Sequence, residues 1–235
     1  MTADIDLSGY DNWEPIGTFQ PLSDKPEDAK TADLEVAFTG TFDGNGYTIS
    51  NVTIDQPDGT AVGLFGCTAG EEENSSSIHN LTVENVDVTG ASMVGGVVGV
   101  QYSNCTLENV NLTGSNKVRG HINVGGITGG SLSDVKDCKA ASDIVLQFDG
   151  GNHAGVLSGG LEGCSVINCT AEGKVVAEGD GSFGLGGLAG CVFDGVEIEG
   201  CHAEVKITAL GENNTMVGGL HRRGMYEKED GKISA

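Results

Sequence analysis

Val94-Gly95-Gly96-Val97-Val98-Gly99 decides how this chain is read, because near-copies of it recur along the sequence. They are Val62-Gly63-Leu64-Phe65-Gly66, Val124-Gly125-Gly126-Ile127-Thr128-Gly129, Ala154-Gly155-Val156-Leu157-Ser158-Gly159, Leu185-Gly186-Gly187-Leu188-Ala189-Gly190 and Val217-Gly218-Gly219-Leu220. Successive copies begin 32, 30, 30, 31 and 32 residues apart. So even a period marks a solenoid, in which each repeat buries its apolar face against its neighbours. Glycines that return at fixed places point to positive φ or to a backbone approach that side chains would obstruct. The segment reads as one strand of each repeat.

A second register runs beside it. Asn104-Cys105, Asp137-Cys138, Asn168-Cys169 and Gly200-Cys201 recur at intervals of 33, 31 and 32, with Asn80-Leu81 as a cysteine-free counterpart. A position that takes either cysteine or leucine is a packing slot rather than a reactive thiol. Cys105, Cys138, Cys169 and Cys201 are therefore expected to stack in one interior column. Beyond these positions the pattern alternates, with Cys201, Ala203, Val205, Ile207 and Ala209 set against His202, Glu204, Lys206 and Thr208. Period two describes a strand with one buried face. Breaks at Glu84-Asn85 and Glu108-Asn109 read as corners between short strands.

No stretch shows an apolar face of helical period, and only residues 26–32 suggest a turn. Three short strands per 30 to 33 residues predict an all-β chain: a parallel β-helix (β-solenoid), expected to be right-handed, of about six coils. Coils stacked at about 4.8 Å would make a rod on the order of 30 Å long. Residues 1–55, which hold the single tryptophan and a polar insertion at 22–34, are expected to form an N-terminal capping segment. Residues 56–220 form the repeat β-helix, and residues 221–235 an irregular tail.

Composition narrows the function. Thirty-nine glycines among 235 residues, four prolines and 5% aromatics leave small aliphatic side chains to build the core. A formal charge of −22 repels nucleic acid and anionic membrane alike. No apolar run approaches the roughly 18 residues of a bilayer span, so membrane insertion is not expected. Calcium is a weak possibility only, since no acidic cluster has D-x-D-x-D-G spacing. Seven cysteines cannot all pair internally, and none of their spacings reproduces C-x-x-C or a zinc-finger pattern. No catalytic, metal or cofactor residue is assigned.

The segment Phe38-Thr-Gly-Thr-Phe-Asp-Gly-Asn-Gly-Tyr-Thr-Ile-Ser-Asn-Val-Thr-Ile, followed by the six glycine motifs, resembles the GLUG-motif repeat family of bacterial surface and secreted proteins. The resemblance implies an extracellular or cell-surface location, although the first residues carry no basic, apolar export signal. It also implies an adhesin-like, binding or spacer role with a glycan or protein partner at the cell surface. Two places depart from the pattern: Val156 stands for the second motif glycine, and His221-Arg222-Arg223 follow the last copy.

The alternative is a carbohydrate-active, pectin-lyase-like β-helix enzyme, because Phe42-Asp-Gly-Asn-Gly-Tyr-Thr-Ile is similar to the opening of such proteins. Those enzymes need clustered carboxylates, or calcium with a cationic base. Asp43, Asp55, Glu84 and Asp87 are the carboxylates to watch, while Arg119 reads as isolated in a loop. His121 and His153, 32 residues apart, could stack as a pair, but two imidazoles without a third ligand make a poor metal site. The glycines from Gly181 onward belong to the repeat and precede no helix, which rules against a nucleotide loop. The Asn-x-Thr triplets at Asn51, Asn80 and Asn111 read as strand corners.

Overall fold

The computed structural model describes residues 1–19, 36–147, 150–218 and 221–223. The expected insertion at 22–34, the turn at 26–32, Gly219 and the tail beyond residue 223 lie outside these residues. No helix occurs among the described residues, and every strand pairing between coils is parallel. The chain is a parallel β-solenoid. Two of its sheets are short and six-stranded, and the third, fourteen-stranded sheet carries the longer strands. Strands beginning at Thr60, Ser92, Ile122, Asn152, Phe183 and Thr215 bound five complete turns, one fewer than the period suggested.

One coil shows the path. The chain runs through Ser92–Gly95, turns over Gly96 and Val97, returns through Val98–Gln101, and crosses to the long sheet at Cys105–Thr113 and Lys117–Gly120. The glycine motif is therefore two strands joined by a tight arch, not the single strand its sequence suggested. The reason is steric. A Cβ built on Gly99 would stand 2.3 Å from the Ala61 carbonyl carbon, and one on Gly129 2.3 Å from Met93 C and Val94 N. On Gly159 it would meet Asn123 C at 2.4 Å, and on Gly190 Ala154 N at 2.3 Å. Sheets that carry side chains pack about 10 Å apart; here each returning strand lies backbone to backbone on the outgoing strand of the coil before.

The main core fills the space between arch and long sheet. Stacking places like beside like, as in the column Ile78, Leu107, Val135, Val166 and Ile198, all buried. Column volumes compensate across the core. Gly96 faces Leu112 and Val86, whereas in the fourth coil the equivalent positions hold Ala171 and Gly173, which leaves room for fully buried Val156. The departure from the motif is thus a volume exchange. The first coil turns its arch with one residue fewer, since Val62 and Phe65 pair with Val94 and Val98.

The amino-terminal segment lies along the first coil. Ile5–Asp6 pairs with Thr48–Ser50, Ile16 bridges to Phe65, and the Trp13 amide donates to the Thr53 carbonyl at 2.7 Å. Backbone groups of the first coil that would otherwise face water are satisfied in this way. At the other end His221–Arg223 pairs with Ala189–Val192 through an irregular register, so strand pairing runs past the boundary expected at residue 220. In the last long strand, His202–Ala209, the inward residues Ala203, Val205 and Ile207 are only half buried.

Candidate functional site

Register places the residues that the sequence singled out. Cys138, Cys169 and Cys201 stack as expected, the Cys169 amide donating to the Cys201 sulfur at 3.3 Å. Cys105 does not join them. Glu108 pairs with Lys136 and Asn111 with Lys139, so Val110 holds that slot, while Cys105 lies five residues upstream, between Ser76 and Ser133. Corner lengths differ between coils, and equal spacing in sequence is therefore not equal height in the stack. All seven cysteines are free, and all but Cys201 are buried. Burial pushes the thiols of Cys67 and Cys164 up to about 12. Cys201 is pushed up as well, by its bond with Cys169 and by burial, so with the thiolate as the nucleophile exposure decides the order: an aromatic disulfide reagent should reach Cys201 first and slowly in the folded protein, and the remaining thiols only after denaturation. Rapid labelling of several thiols in the native state would contradict these positions.

The corners are asparagine-built. Asn80, Asn109, Asp137 and Asn168 adopt φ between 51° and 54° at one column, and Asn51 and Asn85 adopt 61° and 56° at the next. The Asn109 amide donates to Asn80 at 3.0 Å and that of Asn168 to Asp137 at 3.1 Å. Asparagine tolerates this left-handed region better than other side chains. Asn51 and Asn80, with left-handed φ, are thus corner residues, whereas Asn111 has no positive φ and continues the strand Cys105–Thr113.

The carboxylates proposed for chemistry are dispersed. Asp43 pairs in register with His79, five positions before Glu84, and its carboxylate accepts from the Asn45 amide at 2.8 Å and from Asn80. Asp55 and Asp87 lie two register positions apart near the next corner. Arg119, expected in a loop, stands on the strand Lys117–Gly120, ion-paired to Asp87 and donating to the Thr89 hydroxyl at 3.1 Å. Lys139 holds Glu172 at 3.0 Å and Lys174 holds Asp143 at 2.8 Å, along a cleft of roughly 420 Å³ beside Gly114 and Ser115. His121 and His153 are two register positions out of line, because Asn123 pairs with His153. No group of three or more metal-ligating side chains occurs among the described residues.

A different recess gathers side chains of mixed chemistry, and nothing in the repeat pattern announced it. On the outer face of the returning strands, Cys67, Val100, Gly130, Gly160 and Cys191 form one column. Gly130 and Gly160 open a notch of roughly 230 Å³, lined also by Met93, Asn123, Tyr102, Leu132, Glu162 and Phe193. Met93, Asn123 and His153 hold φ of 53° to 58° on the outgoing strands, which sets Asn123 and His153 side by side. His153 Nδ1 and Asn123 Oδ1 are 2.8 Å apart, so the ring nitrogen donates to the amide oxygen. The imidazole meets Phe183 and Phe193 edge to face, with centroids at 5.2 and 5.7 Å.

Burial holds the His153 pKa below its ordinary 6.5. As pH falls through about 6.5 the unfolded chain takes up the proton first. The contribution of His153 is thus whole above that pH and is lost as pH drops toward the folded value. Urea midpoints measured at about pH 7.5 and pH 5 should differ less in His153→Gln than in the native protein; equal differences would show that the ring is not desolvated.

Comparison with known proteins agrees with this architecture. Residues 150–176 match the GLUG motif, and they span most of one coil, from the strand Asn152–Gly155 into the strand Thr170–Ala177. The chain is a β-solenoid that carries this motif. It is similar to halomucin of Haloquadratum walsbyi, 34% identical over 131 residues, which is 55% of this chain and 1% of halomucin. A candidate Gly-rich membrane protein of Evansella cellulosilytica is 33% identical over 108 residues, 43% of this chain and 10% of that protein. The chain therefore spans a small part of both relatives. Among solved structures, a candidate immunoglobulin A1 protease from Bacteroides ovatus superposes with a TM-score of 0.52 over 92% of this chain and 76% of that one. At 16% identity that likeness concerns the fold alone.

Proposed function

We propose that the chain is a non-catalytic module of a surface-exposed protein, a rod whose outer faces meet a glycan or protein partner. The observation that carries this reading is how four outward carboxylates are engaged: Asp87 by Arg119, Asp134 by Lys136, Asp143 by Lys174 and Glu172 by Lys139. A general acid or base works best with a pKa near the operating pH, and here the resolved carboxylate shifts run the other way. The Asn51 amide lowers Asp6 and the Asn45 backbone amide lowers Asp43. Burial raises Asp134, but its bonds from Lys136 and Ser165 outweigh that and leave it lowered. The names of the relatives, a halomucin and a candidate membrane protein, agree with a place at the cell surface.

The test is to incubate the purified protein with cell-wall material and soluble polysaccharides. Retention on the walls is expected, with the chain lengths of the polysaccharides unchanged. New reducing ends that disappear in Asp87→Asn, or absence of retention, would overturn the reading.

A further inference from the structure

We propose that the notch over Gly130 and Gly160 is a saccharide subsite that takes one ring of an uncharged glycan chain; this deepens the surface-module reading and rests on it. Packing does not require the two glycines beneath the notch. A Cβ on Gly130 would touch only the Val100 side chain, at 3.9 Å, and one on Gly160 would meet the Asn123 amide oxygen at 3.5 Å and Phe193 at 3.8 Å. Neither glycine has positive φ. Their immediate neighbours in the motif, Gly129 and Gly159, could carry no side chain at all. In the same column Val100 below and Cys191 above do carry one. The face is covered at both ends and bare in the middle two coils, over about 10 Å of rod at 4.8 Å per coil.

The walls suit a sugar ring. Phe193 is half exposed and offers an apolar edge for pyranose C–H groups, as aromatic side chains do in binding sites. The Asn123 oxygen is occupied by His153, which turns the amide NH2 into the available donor, and Glu162 adds a carboxylate acceptor at the rim. Hydroxyl groups can satisfy both kinds of partner. The recess is smaller than the roughly 300–1,000 Å³ typical of sites that enclose a drug-sized ligand, so it holds one ring while the chain continues along the rod. The charge of −22 and the Glu162 carboxylate disfavour uronate- or sialate-bearing glycans. Peptide addition as an extra strand is blocked, because both faces of each middle coil's ladder are already paired with coils above and below.

The experiment is binding of cello-, chito-, manno- and malto-pentaose, followed by calorimetry and by protein NMR shifts, to the native protein, Gly160→Leu, Gly130→Leu and Phe193→Ala. At least one neutral pentasaccharide should bind, with shifts centred on residues 123, 160 and 193. The leucine variants, whose Cβ atoms would meet no atom closer than 3.5 Å, should lose affinity at least tenfold with unchanged circular dichroism and unchanged unfolding midpoint. Polygalacturonate pentamer should bind at least tenfold more weakly than the best neutral ligand. Undiminished binding in both leucine variants, or no binding by any neutral pentasaccharide, would overturn the subsite. Retention of the leucine variants on cell walls at native strength would remove the subsite yet leave the surface-module reading standing, whereas cleavage of any ligand would remove that reading itself. A concentration-dependent doubling of mass that the leucine variants abolish would assign the notch to a second copy of the chain and overturn the glycan.

Discussion

Gly129→Ala is expected to destabilise the protein by about 3 kcal/mol or more, while Gly130→Ala, one residue on, should change stability by less than about 1 kcal/mol. The added methyl at 129 would lie 2.3 Å from two backbone atoms of the preceding coil, Met93 C and Val94 N, and 2.7 Å from the Gly99 oxygen. Backbone atoms held on both sides by inter-coil hydrogen bonds cannot step aside as a flexible side chain would. Relief would require the two short sheets to separate, and with them the buried Val94, Val98 and Val124. At 130 the methyl meets one Val100 carbon at 3.9 Å, an ordinary contact, and the lower backbone entropy of alanine in the unfolded chain favours the variant. Paired urea titrations, repeated at Gly159 and Gly160, test the contrast. Equal losses at both members of a pair would refute the glycine-faced arch.

Asn116→Leu should be nearly as costly, by about 3 kcal/mol, although the two side chains are similar in size. Asn116 is 5% exposed, and its amide ties three coils together. Its oxygen accepts from the Val86 amide at 3.0 Å, and its nitrogen donates to the Thr113 carbonyl at 2.8 Å and the Ala141 carbonyl at 2.7 Å. Each buried backbone group left unpaired costs roughly 1–3 kcal/mol, and the leucine would take this partner from the Val86 amide and the Ala141 carbonyl, while the Thr113 carbonyl keeps its bond from the Asn85 amide at 3.3 Å; part of the loss is recovered through the leucine's apolar burial. Asn214 repeats the arrangement three coils later, accepting from the Ser182 amide and donating to the Gly211 carbonyl, both at 2.7 Å. Hydrogen exchange gives a sharp check: the Val86 and Lys117 amides should lose protection in the variant well before the distant Leu188 amide does, because a solenoid opens locally.

Much of the fold was legible because its determinants are local and periodic. Alternation of apolar and polar residues named the inward side chains of every long strand, and Leu81, Val83, Val86 and Val88 are all buried. Asparagine at positions such as 80 and 85 marked corners for a conformational reason that belongs to the residue itself. The site was far less legible. Val100, Asn123, Gly160, Glu162 and Phe193 are scattered over four coils, share no motif, and meet only through register. The pairing of Arg119 with Asp87 was hidden for the same reason, 32 residues separating two side chains that adjacent coils bring together.

Sequence by itself determined that the chain coils with a period of 30 to 32 residues, which faces turn inward, and that small apolar side chains and thiols fill the interior; these follow from spacing along one strand, which geometry fixes locally. Tertiary structure alone decided which residues share a column, because corner lengths vary and inter-coil hydrogen bonds set the height of each strand. It put Val110 rather than Cys105 beneath Cys138. It also separated Gly129 from Gly130 and Gly159 from Gly160, identical letters of which the first faces a backbone 2.3 to 2.4 Å away and the second meets only side chains, at 3.5 Å or more.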